Sequence, residues 1–322
     1  MKKNNTLLTL GMLIKRNVKL FLKDKMTVFF SVLAPIIILL IYVLFLGKIQ
    51  IDTINSTLVN NGIEIERAAI RAMINNWMIA GVMGVSCITV SVNANIVMVK
   101  DRATGAINDT LASPVKRWVI YASYVIACFI VTLSICLIVL LVSLIFLACT
   151  GGFLLNFGDF FAILGITIIS TLSSSLFTAI LCIFIKTPSA LAAVNGAFST
   201  AIGFLIGAYL PFSMLPKAMQ YLGCFIPGTY SAGLFKNYFL RGPLEVLAGK
   251  INNPELIDGL MKDYSVNLEF FGMRISSAWM VFALIISIVI FAGVLFAIYS
   301  NKKTNIFAVS KKKKSTKKVK RG

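Results

Sequence analysis

The chain has 322 residues, 58% hydrophobic and 13% charged, with mean hydropathy +0.88 and a formal net charge of +19. A soluble domain of this length needs far more polar surface, so composition excludes that class and points to a membrane protein. Histidine is absent, which removes His-based triads, the usual zinc sites and haem ligation.

Apolar residues recur at Leu7, Leu10, Ile14, Val18 and Phe21, while Lys15, Arg16, Lys19 and Lys23 fall largely elsewhere on the helical wheel. That pattern predicts an N-terminal amphipathic helix at the membrane interface, within a cytoplasmic segment over 1–26. A plain basic anchor ahead of a span fits the same residues. No small-residue cleavage site follows the first apolar run before Gly47, unlike a removed signal peptide.

A bilayer core needs about 20 apolar residues per helix. Charge-free stretches predict six spans, at Thr27–Leu46, Trp77–Val99, Val119–Ala148, Phe160–Ile185, Ser189–Leu210 and Ile275–Tyr299. Pro35 is expected to kink the first. The run CTGGFLLNFGD separates the third from the fourth with its turn formers, and Lys186-Thr187-Pro188 separates the fourth from the fifth. The fold class is thus an all-α polytopic membrane protein, with its spanning domain over 27–300. The segment between the last two spans carries Pro211, Pro216, Pro227, Pro243 and Pro254, and its first half stays apolar and aromatic. Short helices re-entering the outer leaflet account for that composition. The tail over 301–322, which includes KKKKSTKKVKRG, reads as a disordered polybasic segment. It suits anionic lipid rather than nucleic acid.

With six spans both termini share one side. That side collects 22 Lys and Arg residues against nine on the other. The positive-inside rule makes both termini, and the segment KDRATGAINDTLASPVKRW, cytoplasmic. The expected location is the cell (plasma) membrane, as a multi-pass protein.

Chemistry within the chain is sparse. Cysteines stand at 87, 128, 136, 149, 182 and 224 without a CxxC pair. Whether Cys149 and Cys224, both near predicted outer ends, form a disulfide is left open. The strongest polar groups in the spans are Asn93, Asn95 and Asn195, suited to hydrogen bonding between helices. No ionisable group sits deep in a predicted span, which disfavours an ion-coupled transporter and an intramembrane enzyme. No GxxxxGK[ST] phosphate cradle is present. Neither a catalytic, metal nor cofactor site is therefore predicted. Gly203 and Gly207, at GxxxG spacing in the fifth span, suit close helix packing or a dimer seam.

Three ordered pieces carry a family resemblance: RNVKLFLKDKMTVFFSVLAPIIILLIYVLFLG, VKDRATGAINDTLASPVKRW and MLPKAMQYLGCFIPGTY. With the six spans they resemble the membrane domain of type-2 ABC exporters (the ABC2-type permeases). The resemblance implies a non-catalytic permease that pairs with a second permease subunit, as homo- or heterodimer, through the first and fifth spans. It also implies a separate cytoplasmic ATPase that binds the ATP. The segment between the second and third spans then resembles the coupling region, with Asp101, Arg102, Gly105, Leu111, Ser113, Pro114 and Arg117 at matching positions. Asp101 stands where Glu is commoner, and Ala106-Ile107-Asn108 replaces a more charged run. The expected cargo is amphiphilic, drug-like, peptide or lipid-linked. A membrane anchor or immunity-type protein that binds a partner and transports nothing fits the same residues.

Overall fold

A computed structural model describes residues 5–300 apart from 61, 64, 211–214, 252–253, 265, 267 and 271–272. The polybasic tail lies outside the described residues. Within lipid every backbone polar group must be satisfied internally, and the chain meets that demand with helices. Among the described residues six of them are long and apolar enough to cross a membrane.

Helix α1 (Asn5–Lys23) precedes the first span. That span consists of α2 (Lys25–Ile41), a π-helical turn (Tyr42–Leu46) and α3 (Gly47–Asn60). The second joins α4 (Arg67–Ala94) to α5 (Ile96–Thr104) with a break of one residue at Asn95. After α6 (Ala106–Ala112) come α7 (Arg117–Cys149), α8 (Phe157–Ile183) and α9 (Pro188–Leu205). Short helices α10 (Lys217–Cys224), α11 (Pro227–Phe239), α12 (Arg241–Lys250) and α13 (Pro254–Asp263) follow. Strands β1 (Leu268–Phe270) and β2 (Met273–Ile275) pair antiparallel, with Leu268 opposite Ile275, before α14 (Ser277–Ser300) closes the bundle.

The span boundaries depart from the sequence expectation in an instructive way. The first span continues past Leu46 to Asn60, and the second begins at Arg67 rather than Trp77. Charges such as Lys48 and Arg71 mark where the hydrocarbon ends, but they do not end a helix. The helix of the second span, 38 residues long, measures about 57 Å at 1.5 Å per residue, well beyond a hydrocarbon core of about 30 Å. Pro35 leaves α2 helical on both sides, and the irregular turn falls later, at Tyr42–Leu46. The Lys186-Thr187-Pro188 boundary behaves as expected: Thr187 is extended and accepts a hydrogen bond from Ala190 N (3.2 Å), with Pro188 opening α9.

Gly203 and Gly207 sit in different local structure. They do not share a helical face, because α9 ends at Leu205 and Gly207 lies beyond it in a left-handed turn (φ +69°). That turn folds Tyr209 back onto Gly203, where a Cβ would stand 2.1 Å from the ring. Gly203 is therefore needed for a contact within its own chain.

Helix α4 is the centre of the bundle, buried along nearly its whole length against α7, α8, α9 and α11. Small residues allow the approach: a Cβ on Gly84 would lie 2.9 Å from that of Ala232 on α11. By contrast α2, α9 and α14 are mostly uncovered, and they expose Phe29, Leu40, Val194, Phe282 and Phe296. Lipid is an apolar solvent, so outward apolar side chains carry no penalty. Polar residues turn inward instead and join the helices. Asn95 Nδ2 donates to Thr178 Oγ1 (3.1 Å) on α8 and to Ser91 O (2.8 Å). Asn195 Nδ2 on α9 reaches Asn93 Oδ1 (2.8 Å), and Ser173 and Ser287 share a bond (2.7 Å) between α8 and α14. This is the interhelical role the sequence assigns to the three asparagines.

The segment before the last span also packs inward. Helix α11 is wedged among α4, α8 and α14. Its Lys236 is buried, with Nζ donating to Gly207 O (2.8 Å) and lying 5.1 Å from the centre of the Trp77 ring. Arg241 pairs with buried Asp159 at the start of α8 (2.7 Å). All six cysteines, Cys149 and Cys224 included, are free thiols.

The asparagine seam yields a stability prediction. Asn95→Ala removes the bonds to α8 and to Ser91. It is expected to destabilise the detergent-solubilised protein by about 1 kcal/mol, the usual scale for interhelical hydrogen bonds in membranes. Thermal unfolding of the variant beside the parent checks this.

Candidate functional site

The stretch from Lys100 to Trp118 forms one end of the bundle. Gly105 ends α5 in a left-handed conformation (φ +84°) that disfavours any residue with a Cβ, and its N–H returns to Arg102 O (3.3 Å). At the other end Ser113 is extended (ψ 157°), as a residue before proline must be, and Pro114 follows. Ser113 also closes the last turn, donating from Oγ to Thr110 O (2.5 Å). Gly105 and Pro114 thus bracket α6 as a short separate helix. It is seated by fully buried Ile107 and by Leu111, which packs on the core.

Asp101 and Arg102 point into the protein, in different directions. The Asp101 carboxylate accepts from Tyr124 Oη (2.6 Å) on α7 and from Arg16 Nη1 (2.7 Å) on α1, both at Oδ2. Next to Arg16, Asn17 Nδ2 donates to Ser123 Oγ (3.1 Å), so α1 is held along α7 by two polar contacts. The neighbouring Lys100 forms an ion pair with Asp24, which also accepts from Thr27 N (3.2 Å) and caps α2. Lys100, and then the Thr27 amide, hold the Asp24 carboxyl below its ordinary 3.8. Its contribution to stability is therefore full above that value and is lost as pH falls through the lowered one.

Arg102 reaches the opposite way. Its Nη1 donates to Cys182 O (3.1 Å), Ile183 O (3.0 Å) and Ile185 O (3.2 Å) at the C-terminus of α8. Cys182 O also accepts from Ile185 N (3.2 Å) in the turn that ends α8, and the negative end of the helix dipole favours a cation there. Adjacent residues therefore fasten α5 to α8 on one side and to α1 and α7 on the other.

Of the residues placed here by the family resemblance, Asp101 and Arg102 are buried, Leu111 and Ser113 are half-buried, and Pro114 and Arg117 are exposed. Exposed Thr104, Asn108, Asp109 and Lys116 share the surface with Pro114 and Arg117. Sequence reasoning missed the partners Arg16, Asp24 and Tyr124, because only the fold brings α1 and α7 to α5. The one signal available was that Arg16 and Asp24 flank the predicted first span. Among the described residues no three His, Cys, Asp or Glu side chains converge on a metal-sized site.

Substitutions at three positions test this end of the bundle. Gly105→Ala is expected to destabilise by about 1 kcal/mol through its left-handed backbone. A double-mutant cycle of Arg16→Ala with Asp101→Asn is expected to give a coupling of about 1–2 kcal/mol, between the values for exposed and buried pairs. Denaturant unfolding of Gly105→Ala and of the four proteins of the cycle measures both.

A search of curated proteins returned no match. The profile of the ABC-2 type transporter family matches residues 9–240, from α1 through the end of α11 and including the whole clasped segment. With most of its length covered by that profile and six helices able to span a membrane, the chain belongs to the ABC-2 type transporter family as a multi-pass membrane permease.

Proposed function

We propose that this permease is the membrane subunit of an exporter driven by a separate cytoplasmic ATPase that docks on α6. The observation that carries the reading is the clasp at α5. A push on α6 passes through Gly105 to a helix fastened at once to α8, α7 and α1. ATP binding in the partner would move these spans together instead of bending one. In this reading ATP is held by the partner chain, and the permease itself is non-catalytic. A second permease subunit, identical or different, would cover the uncovered apolar faces of α2 and α9. Both termini and α6 face the cytoplasm of a cell whose plasma membrane holds the protein, which follows from the excess of Lys and Arg on that side. An amphiphilic cargo, whether a drug, a peptide or a lipid-linked compound, suits a bundle whose spans offer mainly apolar and small polar side chains.

Purification of the full-length chain from its native membrane tests the partner. An ATP-binding-cassette subunit is expected to accompany it and to hydrolyse ATP in lipid. Arg117→Glu, on the exposed surface, is expected to weaken that association about tenfold or more while leaving thermal stability unchanged. Arg102→Ala is expected to lower stability itself. If no such subunit co-purifies, the transporter reading gives way to that of a membrane anchor or immunity-type protein. Orientation has its own check. In a Cys149→Ser, Cys224→Ser background, an Ala112→Cys variant is expected to resist an impermeant thiol reagent in intact cells and to react in inverted vesicles.

A further inference from the structure

The end of the bundle opposite α6 carries a different arrangement of charge. A cavity of about 410 Å³ opens there between α3, the beginning of α4 and the end of α7. Lys48, Arg67 and Arg71 line it, with Asp52 the carboxylate among its lining residues. Arg67 and Arg71 are one turn apart on α4, and Lys48 and Asp52 one turn apart on α3, so each helix presents its pair on one face.

Among the described residues, none of the three cations is engaged in an ion pair or a side-chain hydrogen bond. Glu66, adjacent to Arg67 in sequence, pairs with Lys250 instead (3.4 Å). At the α6 end three cations are matched: Arg16 with Asp101, Lys100 with Asp24, and Arg102 with carbonyls at the end of α8. Clustered like charges repel one another, and an anion seated among them relieves that repulsion. Two guanidinium groups and an ammonium are the donor set that recognises phosphate.

The remaining walls argue for more than a bare anion. Val43, Ile51 and Phe146 give the cavity an apolar side. Beyond it, Leu44 and Phe45 of the first span and Ile145 of the third are exposed on the surface that faces lipid. At the polar side buried Asn75 donates to Thr150 Oγ1 (3.2 Å), which keeps that wall ordered. The volume falls in the usual range for small-ligand pockets, about 300–1,000 Å³.

We propose that this cavity binds the phosphate-bearing headgroup of a membrane amphiphile, with Arg67, Arg71 and Lys48 on the phosphate and the acyl chains against Leu44, Phe45 and Ile145. The site is defined by binding alone and stands whether or not an ATPase drives the protein.

Titration of the full-length protein in maltoside micelles with dioctanoyl phosphatidate, followed by native mass spectrometry, tests it. Saturable binding is expected, weakened about tenfold or more by Arg67→Gln combined with Arg71→Gln and unchanged by Lys217→Gln. Asp52→Asn is expected to tighten binding several-fold. Because unfolding cannot produce a gain, that variant decides the matter even if the double variant folds poorly. Dioctanoylglycerol, which lacks the phosphate, is expected not to bind. Equal affinity in the double variant, or equal weakening by Lys217→Gln, overturns the site. Inorganic phosphate competing as well as the lipid overturns the amphiphile and leaves a free-anion site.

Discussion

The contact between Arg102 and the end of α8 is the constraint on which the α6 end of this protein depends. A buried guanidinium is tolerated only where acceptors surround it, and the last carbonyls of a helix are acceptors with no internal partner. Through Nη1, Arg102 fixes the end of α8 and the axis of α5 together. Asp101, the very next position back, turns to Arg16 and Tyr124 and fixes α1 and α7. Two consecutive residues therefore tie four helices. With α5 held on both sides, the left-handed turn at Gly105 is the remaining joint before α6.

Lipid as a solvent explains how the rest is arranged. Apolar side chains gain nothing by hiding from it, so the helices at the periphery expose Leu, Ile and Phe freely. What must be hidden is polar, and here Ser, Thr and Asn become the adhesive between α4, α8, α9 and α14. Helix α4 carries most of this load, which is why it is the most buried span and yet contains Asn75, Asn76, Asn93 and many small residues. Inward-facing charges are matched at both ends, Asp101 by Arg16 and Asp159 by Arg241. Lys48, Arg67 and Arg71 line a cavity with no protein partner among the described residues.

Much of the architecture is legible in the sequence because lipid imposes one rule on every span. Twenty apolar residues without charge must be a helix, so six such runs fix the number of spans, and turn-forming clusters at 150–156 and 186–188 fix their separation. The role of Asn95 and Asn195 is legible for the same reason: an amide in lipid must find a partner on another helix. Helix ends are less visible, since charge marks the edge of the membrane while the helix of the first span runs on to Asn60. Lys236 was invisible as a buried group, because a lysine in a proline-rich connecting segment reads as solvated until α11 is seen wedged beside Trp77.

The sequence by itself determined a six-span helical membrane protein and the asymmetry of its charge. These follow from local chemistry: hydropathy and the placement of Lys and Arg. Only the tertiary structure decided that Asp101 and Arg102 face inward, that Gly203 receives Tyr209 of its own chain, and that Lys48, Arg67 and Arg71 line a single cavity. Each of these joins residues from separate helices. Which side chains meet there depends on how the helices are rotated and how far they extend, and spacing along one chain does not encode either.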